Sequence, residues 1–322
     1  MNMSARLIFN LLSPAGPAAR LSVLIFHRVL PRPDPLFPGE PDAIRFRTQM
    51  QWIKSWFNVL ALPDAIECLR TGTLPARAAA ITFDDGYADN YTVALPILQQ
   101  VGLPATFFIA VGYLDGGMMW NDTVIEVIRK APGPQLDLGE LKLGRFPLNT
   151  IEARRESLAQ LLSKLKYLEP EARSALVHEI GVREKVQPAH DLMLTSDQVR
   201  AMSTAGMTIG AHTVRHPILA RVSESDARTE MAESKARLEA MVGSQVTLFA
   251  YPNGKPGTDY AQIHVRLARE VGFSAACSTG WGAATAGSDI FQLPRFTPWD
   301  RSRLRYALRL ARNMRHHATA LR

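Results

Sequence analysis

Cysteine and long apolar runs are scarce in this sequence. Of 322 residues only Cys68 and Cys277 are cysteines, which is too few for a disulfide framework, and both stand in apolar segments. We therefore expect two small buried side chains rather than a redox pair, and the low count fits a reducing compartment. No stretch approaches the roughly 18 apolar residues of a transmembrane helix. The sequence therefore predicts no membrane span.

A clear signal peptide is also missing. The N-terminal segment, residues 1–20, is mildly basic and apolar, but Pro14, Gly16 and Pro17 interrupt it early. No small-residue cleavage site follows a clean apolar core. We therefore expect the protein to lie in the cytoplasm or peripherally at the inner face of the membrane.

Positive charge is in excess, and much of it lies near the C-terminus. The formal net charge is +7 and the sequence pI is about 9.6. Residues 301–322 are predicted to form a basic helix in which Leu304, Leu308 and Ala311 share one face. We favour a helix that packs these leucines on the domain; the alternative is a peripheral membrane contact. Nucleic-acid binding is not predicted, because the basic residues are not interleaved with aromatic ones.

Strand and helix patterns alternate along most of the chain. Residues 79–83 predict a buried strand, 87–101 a helix and 105–110 the next strand, which is the rhythm of parallel βαβ units. Further strands are predicted at 22–27, 58–62, 207–211, 246–250, 274–277 and 291–296. The pattern favours an α/β fold, a distorted (β/α) barrel of about seven parallel strands. The alternative is an open, doubly wound sheet.

Residues 118–190 break this rhythm. They contain a short helix pattern at 122–130 and a charged helix pair at 150–167 and 170–180. We interpret the segment as a helical insertion within a barrel domain of residues 21–300. We expect it to be too polar and too short to carry much core of its own.

Two adjacent carboxylates follow the strand predicted at 79–83. Asp84 and Asp85 repel each other and resist the loss of water, so placing both at the end of a buried strand costs free energy. That cost is easier to accept if one carboxylate binds a cation and the other transfers protons. The alternative is a helix N-cap with a solvated neighbour.

Two histidines follow another predicted strand. His212 and His216 stand four residues apart, so their rings can point the same way if the segment turns helically. One carboxylate and two imidazoles with room for water make a hydrolytic metal site. The alternative is two unrelated polar loop residues.

These segments together resemble a known enzyme family. Thr82-Phe83-Asp84-Asp85-Gly86 and His212-Thr213-Val214-Arg215-His216, in this order and at strand ends, are similar to the motifs of the polysaccharide deacetylase (NodB-homology) family of carbohydrate esterases. The resemblance covers roughly 22–113 and 192–296 and skips the insertion.

The resemblance implies a role for each motif residue. Asp85, His212 and His216 would bind the metal, and Asp84 would be the general base that activates the metal-bound water. Gly86 would permit the sharp backbone turn beside the carboxylates. The segment 249–254 resembles the third family motif, which implies that the backbone N–H of Asn253 donates to the oxyanion. The alternative there is a plain Pro-Asn-Gly turn.

The sequence departs from the family pattern at two places. Ala250 stands where the third motif usually has an arginine, and Arg295 stands where the final motif usually has a histidine. We hypothesise that Arg295 replaces the missing arginine by holding Asp84 through a charge-assisted bond. The alternative is an arginine that pairs with another carboxylate.

The general acid is not assigned by the motifs. His27 ends the first predicted strand and is the best candidate, although a single histidine after a strand is more often structural. Water or Asp84 could instead protonate the leaving amine.

The sequence thus predicts a metal-dependent hydrolase that removes an acetyl group from an N-acetylated sugar in a polysaccharide, an oligosaccharide or a lipid-linked precursor. Zinc is the first expectation for the metal, and nickel or cobalt would also fit. Trp120 could stack on a sugar ring or pack under the insertion. The alternatives are an amidase of the same fold and a non-catalytic sugar-binding barrel. The oligomeric state is not predicted.

Overall fold

The computed structural model describes residues 2–186, 190–297, 300–316 and 320–321. Its strands are β1 Leu21–Phe26, β2 Asn58–Val59, β3 Ala78–Phe83, β4 Thr106–Ile109, β5 Gln135–Leu138, β6 Gly144–Pro147, β7 Thr208–Ala211, β8 Leu248–Ala250, β9 Ala275–Cys277 and β10 Arg295–Phe296. Its α-helices are α1 Asn2–Leu12, α2 Ala43–Trp56, α3 Leu62–Thr71, α4 Leu95–Val101, α5 Trp120–Lys130, α6 Ile151–Lys166, α7 Pro170–Arg183, α8 Ser196–Thr204, α9 Glu224–Val242, α10 Gln262–Glu270 and α11 Arg303–Arg315.

Seven parallel strands form a nearly closed barrel. They run in the order β10-β1-β3-β4-β7-β8-β9, and the short β2 pairs with β3. A parallel bridge between Cys277 and Leu293 links the β9 edge to the segment that enters β10. This confirms the predicted (β/α) barrel and not the open sheet.

Successive side chains of the barrel strands point to opposite faces of the sheet, so the apolar core consists of two clusters. Leu24 and Ile81 belong to the cluster that packs against the surrounding helices, whereas Val23 and Ala80 belong to a second cluster on the opposite face of the sheet. Phe108 fills that second face. A Cβ added to Gly210 would lie 2.5 Å from Cδ1 of Phe108, so glycine at this position makes room for the ring.

The N-terminal segment contains a helix that the sequence patterns did not predict. Helix α1 packs against α2 and α11, and the ring of Phe9 lies 4.8 Å from that of Phe57. Pro14 and Gly16 follow the end of this helix rather than interrupt it. The apolar residues before Pro14 are therefore part of the fold.

The C-terminal helix is present, but its buried face is not the predicted one. Tyr306, Leu310 and Met314 are buried, whereas Leu304 and Leu308 are 61% and 60% exposed. The favoured interpretation, in which those leucines pack on the domain, is therefore wrong. Residues 317–319 and 322 of the predicted helix lie outside the described residues, and so do residues 298–299 of the predicted barrel.

The insertion carries its own core, contrary to expectation. Leu158, Leu161 and Leu165 of α6 pack with Val124 and Phe146 in a separate buried cluster. Part of this cluster comes from the antiparallel hairpin β5-β6, whose alternation of exposed and buried residues was not recognised. The leucine stripe at helical spacing was obscured by the charged residues around it. Residues 187–189 of the predicted insertion lie outside the described residues.

Candidate active site

The strand register brings the predicted site residues to one end of the barrel. Strands β1 and β3 end at paired residues, so His27 and Asp84 leave the sheet side by side. Strands β4 and β7 also end at paired residues, Ile109 and Ala211, so His212 lies at the same edge. Six of the seven predicted site residues line a single cavity of about 600 Å³. They are His27, Asp84, Asp85, His212, His216 and Asn253.

A buried ion pair holds Asp84. The Nη1 and Nη2 atoms of Arg295 donate to Oδ1 and Oδ2 of Asp84 at 2.6 and 2.7 Å. The exposed fractions of the two side chains are 0% and 3%. The Nε of Arg295 donates to the carbonyl of Ser278 at 2.9 Å, so the guanidinium is fixed from two sides. The hypothesised contact is present, and Arg295 pairs with no other carboxylate in the described ranges.

This pair keeps Asp84 ionised although it is buried. Burial raises the pKa of Asp84, but the charges of Arg295 and His212 lower it by more, so the net pKa lies below its ordinary value. The carboxylate is therefore charged at neutral pH and able to accept a proton. The catalytic role of Asp84 stays a prediction.

Asp85, His212 and His216 form a cluster that fits a divalent cation. The Nε2 atoms of the histidines lie 3.1 Å apart, and they lie 3.5 and 3.4 Å from Oδ1 of Asp85. The Nδ1 of His212 lies 2.7 Å from the carbonyl oxygen of Ala250, so Nδ1 carries the hydrogen and Nε2 turns its lone pair to the cluster. One carboxylate and two imidazoles with converging ligand atoms are the donor set of a hydrolytic metal site.

The electrostatics of the three side chains agree with this assignment. Burial lowers the pKa of His216 to about 4, so its ring is neutral at pH 7. Burial also lowers the pKa of His212, but Asp84 and Asp85 raise it by more. Burial raises the pKa of Asp85, but the neighbouring histidines bring it below its ordinary value. A proton and a cation would compete for the same lone pair of His212, so metal binding should weaken as the pH falls.

Uncommon backbone conformations are concentrated in the site. Asp85, Thr213, His216 and Asn253 have φ values of 78°, 67°, 54° and 58°, in the left-handed region that non-glycine residues rarely adopt. Each such residue costs roughly 1–3 kcal/mol. Contacts between loops stabilise them: the N–H of Ala110, for example, donates to the carbonyl of Asp85 at 3.2 Å.

Glu230 fixes the loop of the two histidines, and the sequence patterns did not identify it. One oxygen of this buried carboxylate accepts from the backbone N–H groups of Val214 and Arg215 at 2.8 Å each. The other accepts from Nε of Arg215 at 2.8 Å. Only the place of Glu230 on the buried face of α9, beside Met231, could have signalled this role.

Asn253 stands in the turn that the sequence predicts. The N–H of Gly254 donates to the carbonyl of Pro252 at 2.6 Å, and the hydroxyl of Thr279 donates to the carbonyl of Asn253 at 2.8 Å. Within the described part of the chain, the N–H of Asn253 has no acceptor. A donor is therefore left for a ligand in the cavity, although its oxyanion role stays a prediction.

The insertion forms the opposite wall of the cavity. Trp120 begins α5, Lys166 and Tyr167 stand at the end of α6, and Arg173 lies on α7; all four line the cavity. Trp120 is partly exposed and packs against the insertion core, as one of the two interpretations expected. Its stacking on a sugar ring stays a prediction.

Comparison with known proteins decides the family. The model of the polysaccharide deacetylase family matches residues 71–132 and 155–276, which is more than half of the chain. This chain belongs to the polysaccharide deacetylase family. The resemblance seen in the motifs is thereby confirmed, as is the assignment to metal-dependent carbohydrate N-deacetylases. Neither the amidase nor the non-catalytic barrel is favoured.

One curated relative and one solved structure match most of this deacetylase, and a second curated relative matches a short segment of it. The putative polysaccharide deacetylase YxkH of Bacillus subtilis (strain 168) is 23% identical over 279 residues, 86% of this chain and 71% of the relative. A poly-beta-1,6-N-acetyl-D-glucosamine N-deacetylase of Staphylococcus aureus (strain MSSA476) is 35% identical over 71 residues, 22% of this chain and 24% of the relative. The structure of the Streptococcus pyogenes deacetylase PplD in complex with acetate has a TM-score of 0.60 and 19% identity, covering 92% of this chain and 99% of that one. This last likeness supports the fold.

The metal cluster makes a direct prediction. Zinc added to the metal-stripped deacetylase should bind at one equivalent and raise the melting temperature by about 5 °C at saturating concentration, because only the folded state holds the ligands together. In His212→Ala both effects should be lost. His178→Ala, a change of the same type on the exposed side of α7, is the control. Unchanged stoichiometry in His212→Ala, measured by calorimetry, would contradict the assignment.

Proposed function

We propose that this deacetylase removes the acetyl group from N-acetylated hexosamine residues of a polysaccharide or oligosaccharide, or of a lipid-linked precursor. The observation that carries the proposal is the buried Asp84–Arg295 pair beside the cluster of Asp85, His212 and His216. It puts an ionised base next to the ligands of a Lewis acid. The similarity to the poly-beta-1,6-N-acetyl-D-glucosamine N-deacetylase of Staphylococcus aureus supports N-acetylglucosamine as the sugar.

Zinc is the proposed metal, and nickel or cobalt fits the same donor set. When bound, the cation supplies Lewis acidity, which lowers the pKa of water and stabilises negative charge on the acetyl oxygen. Asp85, His212 and His216 hold it.

The remaining groups move protons and stabilise charge. Asp84 accepts a proton from the attacking water, and Arg295 keeps its carboxylate oriented and ionised. The N–H of Asn253 donates to the acetyl oxygen as negative charge develops there. His27, which lines the cavity beside Asp84, protonates the leaving nitrogen. The water oxygen bonds to the acetyl carbon, the C–N bond breaks, and the products are acetate and the sugar amine.

The role of Asp84 can be tested by one substitution. Asp84→Asn keeps the size of the side chain but cannot accept the proton, so acetate release from N-acetylglucosamine oligomers should fall about 10²–10⁴-fold. Zinc should still bind at one equivalent. Asp137→Asn, on the exposed hairpin, should behave like the wild type. Full acetate release by Asp84→Asn would exclude this carboxylate as the base.

We also propose that the protein works against an anionic membrane surface. Helices α1 and α11 pack side by side, and Leu7, Leu11, Leu304 and Leu308 are 60%, 84%, 61% and 60% exposed on them. Isolated exposed leucines are ordinary, but Ile8 of α1 lines one groove with Leu304 and Leu308 of α11, so the exposed apolar residues of the two helices form a patch there. In the described ranges no helix reaches the length and apolarity needed to cross a bilayer.

Charge complementarity supports an anionic membrane as the occupant of this leucine patch. Neither residues 1–22 nor residues 301–322 contain an aspartate or a glutamate. Arg6, Arg305, Arg312 and Arg315 are exposed on α1 and α11. Each arginine near an anionic lipid surface contributes about 1 kcal/mol, and the leucines add apolar burial. A second copy of the same patch would bring like charges together. The cytoplasmic leaflet, which carries anionic lipids, is the proposed location.

Vesicle sedimentation tests the leucine patch. The protein should bind vesicles that contain phosphatidylglycerol but not pure phosphatidylcholine. Leu11→Gln/Leu308→Gln should reduce the binding constant at least about ten-fold, because two side chains lose their burial. Val182→Gln, an equally exposed position on α7, is the control. Equal binding by the double variant and the wild type would refute the membrane proposal.

A further inference from the structure

The insertion wall of the cavity is basic. Lys166 and Arg173 line it, and no aspartate or glutamate of the insertion lines it in the described ranges. The two acidic residues that line the cavity belong to the barrel wall, where one pairs with Arg295 and the other is a metal ligand. The two walls therefore present different charges to a substrate.

Arg173 is buried without a counter-ion. Only 6% of the residue is exposed, and its guanidinium carbon lies 4.8 Å from the centroid of the Trp120 ring. Its Nη1 donates to the backbone carbonyl of Lys166 at 3.0 Å. No carboxylate forms an ion pair with it among the described residues. A buried charge that lacks a partner is costly, so the arrangement favours an anion supplied from outside.

Glu169 and Tyr113 are the ionisable groups whose charges act on Arg173. Glu169 caps its own helix by accepting from two backbone N–H groups of α7 at 3.1 Å each. The hydroxyl of Tyr113 donates to a backbone carbonyl at 2.8 Å. Neither of these groups pairs with the guanidinium.

Lys166 adds a second cation at the same wall. Its Nζ lies 5.4 Å from the centroid of the Tyr167 ring, and no carboxylate pairs with it in the described ranges. Because its carbonyl accepts the bond from Arg173, the positions of the two residues are coupled. Two cations flanked by two aromatic rings suit a sugar that carries negative charge.

We propose that Lys166 and Arg173 form a subsite, the insertion anion subsite, that binds an anionic substituent of the saccharide, a phosphate or a carboxylate. This inference rests on the proposed deacetylation and names the class of its substrate. The guanidinium donates charge-assisted hydrogen bonds to the anion, and Lys166 adds a point charge. A neutral polymer of N-acetylglucosamine would leave both cations without a partner.

Substrate comparison tests the subsite in the metal-loaded enzyme. Three substrates share one N-acetylglucosamine trimer: the neutral trimer, its reducing-end 1-phosphate and its reducing-end aldonate. The kcat/KM of the wild type should be at least about ten-fold higher for a charged trimer, and whichever charged trimer is preferred identifies phosphate or carboxylate. Arg173→Gln and the half-buried Lys166→Gln should each reduce this charged-to-neutral ratio about ten-fold. Arg183→Gln, on the outer side of α7, should keep the ratio.

Equilibrium binding separates this inference from the proposed function. N-acetylglucosamine 1-phosphate and inorganic phosphate should bind the wild type more tightly than Arg173→Gln, whether or not acetate is released. Equal binding of these ligands by the wild type and Arg173→Gln would overturn the subsite. A charged-to-neutral ratio of kcat/KM near one in the wild type would also overturn it. Acetate release from the neutral trimer would then still support the deacetylase. Absence of acetate release from all three trimers, together with charge-dependent binding, would reject the proposed reaction and keep the subsite.

Discussion

The ion pair between Asp84 and Arg295 is the interaction on which the rest of the site depends. Two adjacent carboxylates cannot both stay charged at the end of a buried strand unless each has a compensating positive charge. Arg295 supplies that charge for Asp84, and a divalent cation held by Asp85 and the histidines would supply it for the neighbour. Losing either partner would leave a buried charge uncompensated, which is the costly case for ion pairs of this type.

The order of the strands in the barrel brings Asp84 and Arg295 close together. Strand β10 lies beside β1, and β1 lies beside β3, so Arg295 and Asp84 stand on strands separated by one neighbour. Small side chains on the inner face leave room for the guanidinium, which lies 5.6 Å from the Phe108 ring. Asp84, the proposed base, is thus positioned by strands, whereas Asp85 and His216 of the metal cluster lie in loops with left-handed conformations. Glu230 gives those loops the rigidity that strands have by themselves.

The insertion forms one wall of the cavity and has a hydrophobic core of its own. Because its helices and hairpin bury a separate apolar cluster, Trp120, Lys166 and Arg173 can be held over the barrel mouth without contributions from the barrel core. In this proposal the barrel residues carry out the reaction, and the insertion selects substrates that have an anionic substituent. The family match runs over β3, β4, β7 and β8 and over most of the insertion, and it is interrupted at 133–154, the segment that contains the β5-β6 hairpin.

Local periodicity predicts the barrel, whereas the adjacent carboxylates, the two histidines and the resemblance to the family motifs predict the metal cluster. Strands with alternating or continuous apolar residues end where Asp84 and His212 begin, and parallel strands bring such ends together. The contact between Arg295 and Asp84 followed from the departures from the family motifs. Other features depend on contacts that are distant in sequence. Helix α1 is recognisable only by its packing on α11. Leu308 is exposed because a different side of α11, with Tyr306 and Leu310, packs on the domain.

The most direct test of this account is a double-mutant cycle on the buried pair. The free energy of unfolding would be measured by denaturant titration for the wild type, Asp84→Asn, Arg295→Met and the double variant. The account predicts that Arg295→Met alone loses about 3–5 kcal/mol, and that the double variant loses clearly less than the sum of the single ones. The exposed pair of Arg145 and Asp137 should show additive losses. Additivity at Asp84 and Arg295 as well would contradict the claim that this pair supports the site.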